Sequence, residues 1–273
     1  MIETLNDNVN EIITLADQLQ QLITAKQDMK TALSDKGVVP TGGLTSYADA
    51  IRSIESGGEG GIKLPNGTKF IRSTFTTVPL FDTSEMTSMY DMFGDCELLT
   101  TVPLFDTSKV TIMYGMFAEC KSLTTVPLFD TSKVTNMYDM FYKCSSLRTI
   151  PQFDTSKVVE VHNMFYGCSS LVVIPQLDFS SVKDDYGYFS LRYLTKLRHV
   201  GGFVGMRGNI EIRDSGLTYD SIMNIINNLG TIPLSWYRRT IWMDSNQNAL
   251  LSDSVRQSLT NRGWVLQVSE PSY

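Results

Sequence analysis

Four cysteines stand at Cys96, Cys120, Cys144 and Cys168, 24 residues apart each time. Thiolates bind zinc and act as nucleophiles, and neighbouring thiols form disulfides, so this spacing is the first place to look for chemistry. If the copies stack about 4.8 Å apart, Cys96 and Cys168 are roughly 14 Å from one another. Zinc holds its sulfur ligands at about 2.3 Å, so the four cannot share one ion. Neighbouring cysteines fall within disulfide reach, which leaves the pairs Cys96–Cys120 and Cys144–Cys168 open beside the favoured reading, a column of buried free thiols acting as small hydrophobes. His162 and His199 are the only histidines in 273 residues, which is little material for a metal centre or a histidine-dependent reaction. No GxSxG, HExxH, Walker-type or dinucleotide-binding phrase is present. Asp244, Asn246 and Asn248 imitate half of a calcium loop, but Ala249 replaces the required glycine and Val255 the bidentate glutamate. The expectation is a chain that is not an enzyme, with no catalytic residue, metal or cofactor.

A second column suits binding. Tyr90, Tyr114 and Tyr138 recur at the same period, continued by His162 and Tyr186, and beside them run Asp91, Gly115, Asp139 and Asn163. Aromatic faces next to acids and amides fit sugar rings, which offer CH faces and hydroxyls together. The candidate binding surface is therefore Tyr90, Asp91, Tyr114, Tyr138, Asp139, His162, Asn163 and Tyr186. The competing reading is that the tyrosines stack on one another and cover the core. Thr76, Thr100, Thr124 and Arg148 form another outward row.

These columns need a scaffold with a fixed repeat. Pro79, Pro103, Pro127, Pro151 and Pro175 are also 24 residues apart, as are Phe93, Phe117, Phe141, Phe165 and Phe189. A period of 20 to 29 residues points to an α/β repeat, a leucine-rich-repeat type of solenoid with one short strand and one compact return per turn. In the copy VPLFDTSKVTNMYDMFYKC, the strand is expected over Leu123 to Leu128, with Val126 and Leu128 inward. Pro127 lacks an amide hydrogen, so the strand must be short. Asp130, Thr131 and Ser132 can cap the next turn, and Val134, Met137, Met140 and Phe141 lie inward at helical spacing, in one or two turns of helix or 3₁₀. The fifth copy loses its cysteine, with Arg192 in that place. After residue 200 the period stops, and LTYDSIMNIINNLG opens an α-β-α-β unit over 201–273 that closes the solenoid's end. Its helices are expected to start from Thr218 and Ser252, and its strands to lie near Thr240 to Met243 and Trp264 to Val268.

The amino-terminal segment differs. Ile2, Leu5, Val9, Ile12, Ala16, Leu19 and Ile23 alternate by three and four, which predicts a coiled-coil helix over 1–36. Isoleucine along the seam favours more than two strands, hence a homotrimer; a single helix lying on the rest of the chain is the alternative. Residues 37–61 read as a short helix on Leu44, Ala48, Ile51 and Ile54, followed by the SGGEGG joint, and residues 62–200 as the solenoid. Asn66-Gly67 signals a hairpin. Residues 1–60 carry nine acids and four bases, so five of the six net negative charges lie there. That balance offers nothing to a phosphate backbone, and no apolar run reaches membrane-spanning length, so neither nucleic acid nor membrane insertion is expected. The opening residues also lack the pattern of a secretory signal.

The FDTSKVTNM…MF…C phrase, in register from Lys63 to about Leu194, resembles the BspA-like, surface-antigen class of bacterial leucine-rich repeats. The tail LTYDSIMNIINNL…LLSDSVRQSLTNRGWVL resembles the unit that ends such repeats. LITAKQDMKTALSDKGVVPTGGLTSYADAIRSI resembles segments of fibre and baseplate-associated proteins of tailed bacteriophages. Together the resemblances imply a virion protein, made in the host cytoplasm, that joins other virion proteins through residues 1–57 and presents the repeats to a host-surface glycan or protein. A purely structural or decorative virion protein and a bacterial surface adhesin are the alternatives.

Overall fold

The computed structural model describes residues 63–78, 81–182, 188–232 and 239–269. The expected coiled-coil helix, short helix and glycine joint lie outside these residues, as do Pro79 and Tyr186.

The copies stack in parallel register as a repeat solenoid. Amides of Met89, Asp91, Phe93 and Asp95 donate to carbonyls of Ile112, Tyr114, Met116 and Ala118 at 2.7 to 2.9 Å, and the next two copies repeat the pattern. Within each copy the return segment is a chain of tight turns, with the amides of Met92, Gly94, Cys96 and Leu99 bonding three residues back. This is the 3₁₀ spacing without a continuous helix. Left-handed residues interrupt it every fourth position: Asp91 and Asp95, Gly115 and Glu119, Asp139 and Lys143, Asn163 and Gly167. Each interruption turns the intervening amides toward the neighbouring copy, where they are satisfied.

The strand expected at Leu123 to Leu128 does not form. In other copies the equivalent stretch does bridge in parallel, at Thr77–Thr101 and Thr149–Val173, and a further file of bridges runs along Ser88, Ile112, Asn136 and Glu160. Thr124 still donates its amide to Thr100, but Pro127 has no amide to continue, and Phe129 bonds back to the Pro127 carbonyl at 3.0 Å. The chain tightens there, so the inward residues are Val126 and Phe129, three apart, and Leu128 points out with 60% of its surface exposed. The same exchange holds for Leu104 and Phe105. Val134, Met137, Met140, Phe141 and Cys144 are fully buried, as their spacing predicts.

Phenylalanine fills the core at half the repeat length. Phe81, Phe105, Phe129 and Phe153 form one file and Phe93, Phe117, Phe141 and Phe165 the other, twelve residues out of phase. Rings within the second file lie 5.8 to 5.9 Å apart and nearly parallel, and the two files touch at about 6 Å. The cysteines complete this core as buried thiols that form no disulfide. Each Sγ–H donates to a phenylalanine carbonyl one copy back, Cys120 to Phe93 and Cys144 to Phe117 among them.

The FDTS turns behave as their residues dictate. Asp106, Asp130, Asp154 and Asp178 each accept the amide of the serine or equivalent two positions on, at 2.9 to 3.0 Å. Thr83 and Thr131 donate to carbonyls of the following copy. Asn66-Gly67 makes a turn but no hairpin: Asn66 Oδ1 accepts the amides of Thr87 and Ser88, which ties residues 63–75 to the first full copy as its cover.

The stack continues into β1 (Val173–Ile174), β2 (Leu177–Asp178), β3 (Tyr188–Ser190), β4 (His199–Val200), β5 (Phe203–Val204) and β6 (Asn209–Glu211). Helix α1 (Tyr219–Asn228), strand β7 (Arg239–Asp244), the one-turn α2 (Ser245–Ala249), α3 (Asp253–Asn261) and β8 (Trp264–Ser269) follow. Thr218 and Ser252 cap α1 and α3 as expected, while Asp244 caps α2 in a reciprocal pair with Gln247, which accounts for the calcium-like phrase. Strands β3, β6, β7 and β8 form one parallel sheet in that order. The carboxy-terminal unit therefore extends the stacking direction of the repeats.

Candidate functional site

Tyr90, Tyr114, Tyr138 and His162 do form a column. Their ring centroids are 4.8, 4.8 and 5.2 Å apart. The next ring is Tyr188, 4.9 Å from His162, two positions beyond the expected Tyr186. The cause is a longer fifth copy. Lys143 donates to Tyr166, 23 residues on, whereas Gly167 donates to Arg192, 25 residues on. Leu191 and Leu194 accordingly take over the turn made by Phe165 and Cys168, and Leu194, not Arg192, occupies the cysteine position. Phe189 meets Phe165 edge-on at 89° instead of continuing the parallel file.

The column's ring faces are covered. Each ring lies on its neighbours, Lys69 Nζ sits 3.5 Å above Tyr90 at one end, and Trp242 packs edge-on against Tyr188 at the other. A sugar ring has no open aromatic face here, so recognition by this column must use ring edges and hydroxyls. Tyr114 is half-buried, and burial, helped by the charge of Asp139, pushes its hydroxyl up to about 12. It therefore remains a donor at any physiological pH. Burial lowers His162 below its usual range, leaving the imidazole neutral.

The adjoining row, Asp91, Gly115, Asp139 and Asn163, has a backbone reason for its residue types. All four have positive φ, 50°, 58°, 53° and 51°. Asp, Asn and Gly are the residues that enter this region at least cost. At Gly115 a Cβ would stand 2.2 Å from Asp91 Oδ1, so the missing side chain is where the Asp91 carboxylate leans. Lys69 pairs with Asp91 at 3.4 Å.

Asp139 is the uncomfortable member. Its Oδ1 is buried without a hydrogen-bond partner, and burial pushes its carboxyl from the ordinary 3.8 up to about 6, against a hydrogen bond from Asn163. A native state that holds this proton more tightly than the unfolded chain loses stability as pH rises from about 4 to 6, and bears the full cost above 6. The turn residues Asp82, Asp106, Asp130 and Asp154 run the other way. Hydrogen bonds from serine lower their carboxyls, so their contribution is present above the ordinary carboxylate range and is lost on acidification. Asp139→Asn keeps a residue suited to positive φ and removes the charge. It should raise stability at pH 7 by about 1 kcal/mol after allowance for solvent screening, and the melting temperature by about 3 °C. Melts at pH 7 and pH 3.5 check the cause: the gain should vanish at the lower pH, and an equal gain at both would rule out the charge.

A second aromatic row lies at the next outward position and escaped the sequence reading. Tyr142 stacks on Tyr166 at 5.3 Å, and Tyr166 meets Tyr193 edge-on at 5.5 Å. Lys143 lies over Tyr142 and Arg192 over Tyr193. Its signal was the 24-residue step from Tyr142 to Tyr166. The threonine row is in register too, but Thr100 Oγ1 donates to Thr76 and Thr124 Oγ1 to Thr100, so these hydroxyls serve the stack. A shallow hollow of about 560 Å³ opens beside Arg72, Ser73, Thr74, Asp95, Glu97 and Leu98, crossed by the Arg72–Asp95 ion pair. Among the described residues, no group of three or more His, Cys, Asp or Glu is placed to hold a metal ion, and no helix is long and apolar enough to cross a membrane.

At the carboxy-terminal ends of β3 and β6 lies a buried polar cluster that sequence periodicity could not reveal. Glu211 accepts from the Tyr188 hydroxyl, from Ser190 Oγ at 3.0 Å and from Arg213 Nε at 2.9 Å. Arg192 reaches the same carboxylate at 4.0 Å and Asp214 at 2.9 Å. Arg213 extends to Ser269 on β8, so the cluster ties β3, β6 and β8 together.

Residues 68–175 match the model of a family described as a Mycoplasma protein of unknown function, DUF285, over less than half of the chain. It is a repeat family of the Mycoplasma and BspA-like kind, in keeping with the resemblance of the repeats. Neither the curated proteins nor the solved structures gave a match.

Proposed function

We propose that this chain is a non-enzymatic attachment protein of a bacteriophage virion, a fibre or tail-associated component whose BspA-like leucine-rich repeats meet a surface glycan or protein of the host. Residues 1–36 hold the chains together as a homotrimer, and residues 1–57 join them to other virion proteins. The observation that supports the attachment reading is the pair of aromatic rows on the solenoid's outside, Tyr90–Tyr114–Tyr138 and Tyr142–Tyr166, each held in register, the second ended by Tyr193 edge-on. Tyrosine edges give contact area and a hydroxyl at little entropic cost, which suits recognition of polar surfaces. The covered ends of the first row favour a second reading, in which that row is a strut of a purely structural virion protein.

One experiment separates the two. The purified chain should bind host cells and compete with virions for adsorption. Tyr114→Phe with Tyr138→Phe keeps both ring stacks and removes two hydroxyls, so binding should weaken at least about fivefold, as expected for hydrogen bonds worth about 1 kcal/mol, while the melting temperature stays unchanged. Absence of binding by the unaltered chain would refute attachment. The mass of the assembly in solution, before and after removal of residues 1–57, tests the trimer.

A further inference from the structure

The sheet β3-β6-β7-β8 ends on β8, whose six residues from Trp264 to Ser269 pair in parallel register with β7. Among the described residues no strand pairs with its other edge. In a parallel strand alternate residues direct N–H and C=O to the same side, so about three residues of β8 present unpaired backbone groups outward. Proteins ordinarily protect such an edge with lysine, proline, a bulge or a covering element. The segment WVLQVS carries no charge and no proline, its register with β7 is unbroken, and among the described residues no element covers this edge. Apolar side chains gather beside it. Val268 is 38% exposed, Leu250 on the adjoining turn is 46% exposed, and Leu266 and Val255 are only partly covered. Three successive solenoid copies set a lysine and an aspartate outward instead, Lys109 with Asp106, Lys133 with Asp130 and Lys157 with Asp154.

The occupant is constrained by these features. A neutral strand meets a twofold copy of itself without like charges facing, whereas a charged partner would gain nothing from it. Because each strand from β3 to β8 lies one layer further from the repeats, the free edge faces away from the solenoid, where a second copy can approach without meeting the repeats. We propose that β8 pairs antiparallel with β8 of a second copy of this chain, joining two four-stranded sheets end to end. This does not rest on the attachment reading.

Amide hydrogen exchange on the full chain tests it, compared with Val268→Lys and with Gln267→Lys, which place a charge at exposed edge positions. The outward amides of residues 264–269 should exchange at least ten times more slowly in the unaltered chain than in either variant, while α1 remains equally protected in all three. Two variants guard against misfolding of one, and loss of α1 protection would identify it. Equal exchange in all three chains overturns the proposal. The mass of the unaltered particle must also be an even multiple of this chain's mass, and an odd multiple, one included, overturns the proposal. A second protein in it, covering β8, would assign the edge to a foreign strand and overturn self-pairing. Failure of host binding leaves these readings untouched.

Discussion

Phe117→Ala should lower stability by about 3–5 kcal/mol, the cost of deleting a fully buried aromatic ring from a core that closes only partly over the gap. Phe117 is completely buried and touches three other rings, Phe93 at 5.8 Å, Phe141 at 5.8 Å and Phe129 at 6.2 Å. It is one of the places where the two phenylalanine files meet, so its loss leaves a void that neither file can fill without moving its own stack. In a solenoid each copy is supported chiefly by its neighbours, so damage at the middle weakens two interfaces at once. Thermal melts should show a fall of about 10 °C or more. Leu128→Ala is the matched control. A fully extended reading of the VPLF segment puts Leu128 in the core, but its exposure predicts a change within about 0.5 kcal/mol. Equal losses for the two variants would mean that the inward and outward assignments are wrong.

Glu211→Ala should cost about 3 kcal/mol, because it leaves Arg213 and Arg192 without the carboxylate they share and strands the Tyr188 and Ser190 hydroxyls in a buried site. Glu211 is only 2% exposed, and the two arginine side chains are about a quarter exposed, so both can partly regain water and keep the loss below the upper range for buried pairs. Glu211→Gln keeps the shape and most acceptor capacity and should lose roughly half as much. The damage should be local. Exchange at β3, β6 and β8 should speed up in Glu211→Ala before that of residues 89–165 does, since the cluster joins only the sheet. A uniform change across the repeats would show that the cap and the solenoid unfold as one unit.

Much of the repeat was legible because a period imposes the same environment on every copy. Val134, Met137, Met140, Phe141 and Cys144 are buried where their spacing put them, and Asp130 and Ser132 make the turn their side chains favour. Two-residue alternation fails over the VPLF segment. Pro127 removes the amide that a strand would need, the chain bends, and Phe129 replaces Leu128 in the core. The acidic and amide row is legible as a column, whereas its shared positive φ appears only in the backbone.

Periodicity thus carried the 24-residue stacking, the inward rows and the turn chemistry, because these depend on contacts between equivalent positions one copy apart. Three things belong to the tertiary structure alone. The tyrosine faces are closed by Lys69 and Trp242, residues outside the period. The column passes to Tyr188 through two extra residues in the fifth copy. Glu211 finds its partners where the repeat has ended. At those places no neighbouring copy repeats the environment, so only the packed chain decides which groups meet.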